Sequence, residues 1–210
     1  MLRLMPTEEC NRDMKVILGS ASPRRKEILS QAGIEYDVVV SDCEEGITGT
    51  LPSEVVSGLS EAKAEDVWRK VISEEDKYKG MEDELLVIGA DTVVAYGDEI
   101  YGKPHNADDA VRMLKNLSGH VHQVYTGVTV ITCDKRITFV SCTDVSVYDM
   151  DDKEIKAYVD SGEPMDKAGA YAIQGGFARY IREIKGEYNN VVGFPIARTL
   201  QELKQVGITF

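Results

Sequence analysis

The sequence predicts an α/β fold built on a mixed sheet, and three features carry that prediction. Apolar strand-like runs alternate with helical stretches, two long β-branched runs follow one another across a two-residue tip, and no repeat or low-complexity tract interrupts the series. Alternation implies strands joined through helices. Two neighbouring strands sharing a tight tip pair antiparallel, so the sheet mixes both senses.

The elements follow in order. Residues 1–13 read as a loose leader, with folding expected from Met14 because Val16, Ile17 and Leu18 begin the first apolar run. Lys15 to Gly19 predicts a strand, Ser20 to Pro23 a turn, and Pro23 to about Ala32 a helix, since proline suits a first helical position where its missing N–H costs nothing. Tyr36 to Val40 reads as a strand, and Ser41 to Leu51 as an acidic, glycine-bearing loop. Pro52 and Ser53 then open a long helix to about Tyr78. The unbroken apolar run Leu85 to Ile88 marks a strand covered on both faces, extended by Thr92 to Ala95. A helix from about Ala107 to Leu117 places Ala110, Val111 and Leu114 inward. Val121 to Thr132 and Arg136 to Tyr148 form a hairpin with Asp134 and Lys135 at its tip. Asp151 to Val159 is helical, Ser161 to Gly176 is a connection too glycine-rich and polar for core, and Pro195 to Lys204 closes the chain as a helix. Residues 14–210 are expected to form one folding unit.

Composition narrows the function. With 210 residues and 43% hydrophobic content the chain can bury a sizeable core. Its net charge of -12 repels polyanions, which argues against nucleic-acid polymers and anionic membrane surfaces as partners. A small anion needs cations gathered locally. The four cysteines lack C-x-x-C spacing, no apolar run approaches the ~20 residues that span a bilayer, and the first dozen residues lack the apolar centre of a signal peptide. A cytoplasmic location is expected.

Four places carry chemistry. Gly19-Ser20-Ala21-Ser22-Pro23-Arg24-Arg25 joins a strand to a helix N-terminus, where N–H groups, hydroxyls and guanidiniums favour a phosphate; Ser22 would equally serve as an ordinary N-cap beside solvated arginines. Asp91 ends an apolar run, and an ionised carboxylate there needs a cation, a metal or hydrogen bonds; the bland alternative is a solvated strand end. Lys63 shares the helical stripe of Val56, Leu59, Val67 and Val71, so it faces inward or snorkels to the core edge. Lys103-Pro104 follows Gly102 in a turn, where the proline stiffens the backbone carrying the ammonium, and a solvated turn lysine is the default reading. Glu44 and Glu45 are either loop surface charges or, near a cleft with Asp91, carboxylates that would suit Mg²⁺. His105, His120 and His122 do not build a metal site by spacing, and residues 161–176, with Asp166, Lys167 and Gln174, form either a pocket wall or a plain connection.

These segments together resemble the Maf family, also described as septum-formation-inhibitor-like proteins, from Lys15 to Leu203. The match comprises Ser20-Ala21-Ser22-Pro23-Arg24-Arg25, Glu44-Glu45, Glu61-Ala62-Lys63-Ala64, Gly89-Ala90-Asp91-Thr92, Gly102-Lys103-Pro104, Leu117-Ser118-Gly119, Val124-Tyr125-Thr126-Gly127, residues 161–171, Ile173-Gln174-Gly175 and Val191-Val192-Gly193-Phe194-Pro195. The resemblance implies a two-lobed fold of the inosine-triphosphatase type with a central cleft, a divalent cation (Mg²⁺ or Mn²⁺), and homodimers. It also implies cleavage of a nucleoside triphosphate between its α and β phosphates, a housecleaning of the nucleotide pool. Asp91 matches the family's proton acceptor. Ser20, Arg24, Arg25, Lys63 and Lys103 match its phosphate-handling groups, and Glu45 an active-site acid; with the carboxylate chemistry above, Glu45 and Asp91 are the candidate metal ligands. Arg24, Thr92 and Gln174 resemble the branch that acts on dTTP and UTP, Thr92 and Gln174 helping to set the base pocket. A non-catalytic nucleotide-binding regulator of septum formation is the rival reading. The intact set of acid and cations stands against it.

Overall fold

The structure is a computed structural model and describes residues 14–43, 49–73 and 76–210. The expected leader (1–13), Glu44 and Glu45 lie outside the described residues.

An α/β architecture is observed, with seven strands in one open mixed sheet and six α-helices among the described residues. The strands are β1 (Lys15–Leu18), β2 (Tyr36–Val38), β3 (Leu85–Tyr96), β4 (Glu99–Tyr101), β5 (Val121–Ile131), β6 (Arg136–Val147) and β7 (Ile181–Lys185). The helices are α1 (Pro23–Gln31), α2 (Pro52–Ser73), α3 (Ala107–Leu117), α4 (Asp152–Asp160), α5 (Tyr188–Val192) and α6 (Ile196–Gln205). Strand order is β2-β1-β3-β5-β6-β7, with β4 on β3; β1 pairs parallel with β2 and β3, and every other pair is antiparallel.

The two faces of the sheet are covered differently. Alternation along β3 sends Leu86, Ile88, Ala90 and Val94 into the larger core shared with α1, α3, α4 and α6, and sends Val87 and Val93 toward α2. Helix α2 lies against β3 and β5 because glycines let it approach. A Cβ at Gly89 would stand 2.5 Å from the Ser60 carbonyl oxygen, and one at Gly127 would stand 2.1 Å from that of Val56. Both lie on the α2 face, and Gly127 is the cross-strand partner of Asp91.

The pairing of β3 changes along its length. Its partner β1 ends opposite Ile88, and pairing with β4 starts only at Val94, opposite the last residue of β4, Tyr101. Residues 89–93 therefore have, among the described residues, a strand neighbour on the β5 side only. A gap opens in the sheet at the carboxyl end of β1, between the outward crossovers through α1 and α2. Such switch points are where open α/β sheets place ligands.

Several elements differ from expectation. β4 and β7 are short strands and α5 a short helix, none of them expected, while β3 runs unbroken from Leu85 to Tyr96 through its expected extension. Residues 161–176 are not merely a surface connection: Ala170, Tyr171 and Ile173 are buried, because two 3-10 turns fold the segment onto Phe177 and β5. Among the described residues no helix is long and apolar enough to cross a membrane.

Candidate active site

A cleft of about 1120 Å³ occupies the gap in the sheet, bounded by the β1–α1 turn, residues 91–94 of β3, the turn after β4, the 166–174 segment and Gly193. Because β3 has no strand neighbour on this side here among the described residues, side chains from both of its faces reach one space. Asp91 comes from the α2 face and Thr92 from the other.

The Asp91 side sets charge against charge. Lys63 Nζ donates to Asp91 Oδ1 at 2.7 Å, and the two side chains are only 11% and 13% exposed. The inward-facing lysine is thus explained: Lys63 leaves the buried stripe of Val56, Leu59, Val67 and Val71 at the height of the carboxylate. The second carboxylate oxygen has no protein partner among the described residues, and Asp91 lines the cleft.

The Thr92 side is a hydrogen-bond network centred on Arg25. Its Nε donates to the Gly193 carbonyl at 2.9 Å, one terminal nitrogen donates to Ser20 Oγ at 3.1 Å, and the other donates to Thr92 Oγ1 at 3.2 Å. Thr92 shares a hydrogen bond with Thr126 at 3.0 Å, and Thr126 donates to the Asn190 carbonyl at 3.3 Å. The guanidinium is held on three sides beside the α1 N-terminus. Ser22 makes no side-chain cap there; instead its N–H donates to Ser20 Oγ at 3.3 Å. The first turn of α1 keeps its N–H groups directed at the cleft end.

Arg24 departs from this group and crosses to the far wall. It donates to Asp166 Oδ2 at 3.3 Å and to the Asp166 carbonyl at 3.4 Å, and Lys167 also contacts the Asp166 carboxylate. Burial pushes the Asp166 carboxyl upward, but Lys167 and Arg24 outweigh it and hold it below the ordinary value. Lys103 is exposed at the rim, and Gln174 projects from the opposite wall. Of the eight residues expected from the sequence in the described region, Lys63 and Asp91 form one group, and Ser20, Arg25 and Thr92 a second. Arg24, Lys103 and Gln174 are brought to the same cleft without touching either group in the contacts described. Glu45 lies outside the described residues.

Sequence reasoning passed over the Thr126 hydroxyl, the carbonyls of Gly193 and Asn190, and the Asp166 partner of Arg24. For Thr126, Gly193 and Asp166 the only signal was membership of matched segments, and Asn190 had none, because backbone carbonyls carry no side-chain signature. His122, expected to be structural, is fully buried; its Nε2 shares a 2.8 Å hydrogen bond with the Tyr171 hydroxyl, and burial lowers its pKa to about 4. His120, by contrast, is exposed and lies just before β5 begins.

Fold and cleft together define an α/β protein whose sheet is interrupted to house a shielded carboxylate–ammonium pair beside a fixed guanidinium. The profile of the family described as Maf-like protein matches residues 15–206, and the chain belongs to that family. Relatives named dTTP/UTP pyrophosphatase include one from Agathobacter rectalis, 50% identical over 92% of this chain and 98% of the relative. Another, from Lachnoclostridium phytofermentans, is 48% identical over 92% and 96%, and one from Bacillus cereus is 43% identical over 99% and 98%.

Proposed function

We propose that the protein is a nucleoside triphosphate pyrophosphatase that hydrolyses dTTP and UTP to the monophosphate and pyrophosphate. The observation that carries this reading is the Lys63–Asp91 pair at 2.7 Å inside the cleft, a carboxylate held by an ammonium through one oxygen, its other oxygen without a protein partner among the described residues. The names of the relatives support the substrate class.

In the proposed mechanism Lys63 fixes the Asp91 carboxylate through Oδ1, and Oδ2 accepts a proton from a water in the cleft. The water oxygen bonds to phosphorus as the bond to the bridging oxygen breaks, and the electron pair leaves with pyrophosphate. Arg25, Ser20 and the first turn of α1 bind phosphate oxygens where charge accumulates, with Arg24, Lys103 and Lys63 adding positive potential. Because Arg25 is already anchored by Gly193, Ser20 and Thr92, little reorganisation accompanies the reaction. Gln174, on the facing wall, offers a donor and an acceptor to a pyrimidine edge.

A divalent cation is part of the proposal. Among the described residues no three His, Cys, Asp or Glu side chains gather as a metal cage, but Mg²⁺ is commonly held by one or two carboxylates with substrate phosphates and water. Asp91, with its exposed edge, fits that pattern, and Glu45 is the second acid proposed. Such an ion, Mg²⁺ or Mn²⁺, would supply charge neutralisation on the phosphates and a more acidic water. Homodimers acting in the cytoplasm complete the reading.

The test is product analysis. Wild-type protein and Asp91→Asn are incubated with dTTP, UTP, CTP and GTP, with Mg²⁺ or with a chelator, and pyrophosphate and orthophosphate are quantified. Pyrophosphate release that falls by ~100-fold or more in Asp91→Asn is expected, with unchanged thermal unfolding. Orthophosphate as the product, or turnover preserved in the variant, would remove the reading.

A further inference from the structure

Gln174 sits in the turn Ala172 to Gly175, closed by the Gly175 N–H donating to the Ala172 carbonyl at 3.1 Å. Its own side chain makes no hydrogen bond among the described residues, so the turn must be held from its flanks. Two side chains do this. The Tyr158 hydroxyl, from α4, accepts from the Ala172 N–H at 3.1 Å and donates to Glu163 Oε1 at 2.7 Å. The other oxygen of Glu163 accepts from the Gly176 N–H at 3.0 Å. The chain two residues before Gln174 and two residues after it is thereby tied to a single tyrosine–carboxylate pair.

Packing closes the arrangement. A Cβ on Gly175 would stand 2.2 Å from Glu163 Oε1 and 2.6 Å from Oε2, so the backbone beside Gln174 lies flat against the carboxylate. Tyr158 is buried and its ring meets Phe177 at 5.3 Å, which anchors the pair to the aromatic cluster below the wall. Tyr171 lies in the same cluster, and burial raises the hydroxyl pKa of both tyrosines, Glu163 adding to the effect at Tyr158. The hydroxyl stays protonated and donating throughout the neutral range.

We propose that Tyr158 and Glu163 are positioning residues for nucleobase selection, clamping both ends of the turn that presents Gln174 to the cleft. The proposal rests on the reading of Gln174 as the base-facing group. Neither residue touches the phosphate end, so the clamp governs which nucleotide is held and how tightly, and leaves the step at phosphorus to the Asp91 side.

Glu163→Gln probes the clamp because both carboxylate oxygens accept a hydrogen bond, whereas an amide has one acceptor oxygen. Turned to the Gly176 N–H it presents an NH2 to Tyr158, whose hydroxyl must reverse from donor to acceptor, and turned to Tyr158 it loses the Gly176 bond, so the charge-assisted contacts are weakened either way. Gly175→Ala reaches the same clamp from the backbone side if the first variant fails to fold. Steady-state pyrophosphate release from dTTP, UTP, CTP and GTP is measured for wild type, Glu163→Gln, Gly175→Ala, Gln174→Ala and the double variant Glu163→Gln/Gln174→Ala. The clamp predicts a KM for dTTP raised at least about fivefold with kcat within about twofold, and narrowed discrimination against GTP. It also predicts a double variant no worse than Gln174→Ala alone. If Gln174→Ala changes the nucleotide ranking while both clamp variants keep the wild-type ranking and KM, the clamp is refuted and the base-facing role of Gln174 stands. A kcat loss equal for all nucleotides also refutes it. An unchanged ranking in Gln174→Ala overturns the base assignment itself, and the clamp with it.

Discussion

Replacing Gly89 by alanine tests the whole construction without altering any group that meets substrate. The added methyl would stand 2.5 Å from the Ser60 carbonyl oxygen, 2.6 Å from the Ala64 nitrogen and 2.8 Å from the Ala64 Cβ. These are helix backbone and near-backbone atoms, which do not swing aside as a long side chain does. Restoring ordinary contact near 3.5 Å requires α2 to withdraw by roughly 1 Å, and the withdrawal falls at the turn that carries Lys63. The Nζ to Oδ1 separation, 2.7 Å in the structure, would then open toward the limit of a hydrogen bond. Overpacking of this kind costs about 1–3 kcal/mol, which for a chain of 210 residues lowers the midpoint of thermal unfolding by roughly 2–4 °C per kcal/mol. A 1 Å misplacement at a reacting group costs on the order of 100-fold in rate. Calorimetry and a dTTP pyrophosphate-release assay on the same preparation read both quantities. A variant within 1 °C and within about twofold of wild type would show that the close seat of α2 on β3 does not set the Lys63–Asp91 geometry.

Two further outcomes concern stability. Burial holds His122 neutral with a pKa of about 4, against about 6.5 in an unfolded chain. The unfolded state therefore binds more protons between those values, and stability falls as pH drops through that window, by about 2 kcal/mol at pH 5. Denaturant midpoints between pH 7 and pH 5 should show the loss, and His122→Gln, which keeps a partner for Tyr171, should flatten it; equal slopes would contradict the assignment. Asp151 caps α4 with a full capping box, its side chain accepting from the Lys153 and Glu154 N–H groups at 2.8 Å while Glu154 accepts from the Asp151 N–H at 2.9 Å. Asp151→Ala should cost about 1 kcal/mol in urea unfolding, with an unchanged midpoint opposing that role.

Legibility from sequence followed the range of the interactions. Helix α3 and the β5–β6 hairpin were readable because periodicity and a two-residue tip are local signals. Lys63 was readable as an inward cation and Asp91 as a carboxylate in need of one, and the structure joins them. Strand β7 was not: Ile181-Arg182-Glu183-Ile184-Lys185 lies at the sheet edge, where charged residues are tolerated, so its composition resembles a loop. Residues 161–176 misled in the opposite direction, since glycines suggested exposure while Ala170, Tyr171 and Ile173 were destined for the core. The Arg24 contact to Asp166 spans 142 positions of sequence, and no local pattern announces a pairing of that reach.

The interrupted pairing of β3 sets what sequence change this protein can absorb. Since neighbouring residues 91 and 92 serve opposite sides of one strand, inserting or deleting a single residue just upstream would exchange acid and hydroxyl and turn Gly89 away from α2 in the same stroke. The proposed catalytic groups and the seat of α2 thus depend on one strand register there. The facing wall, secured by its own turns, does not share that register, so on the proposed reading nucleotide preference there can change without disturbing it.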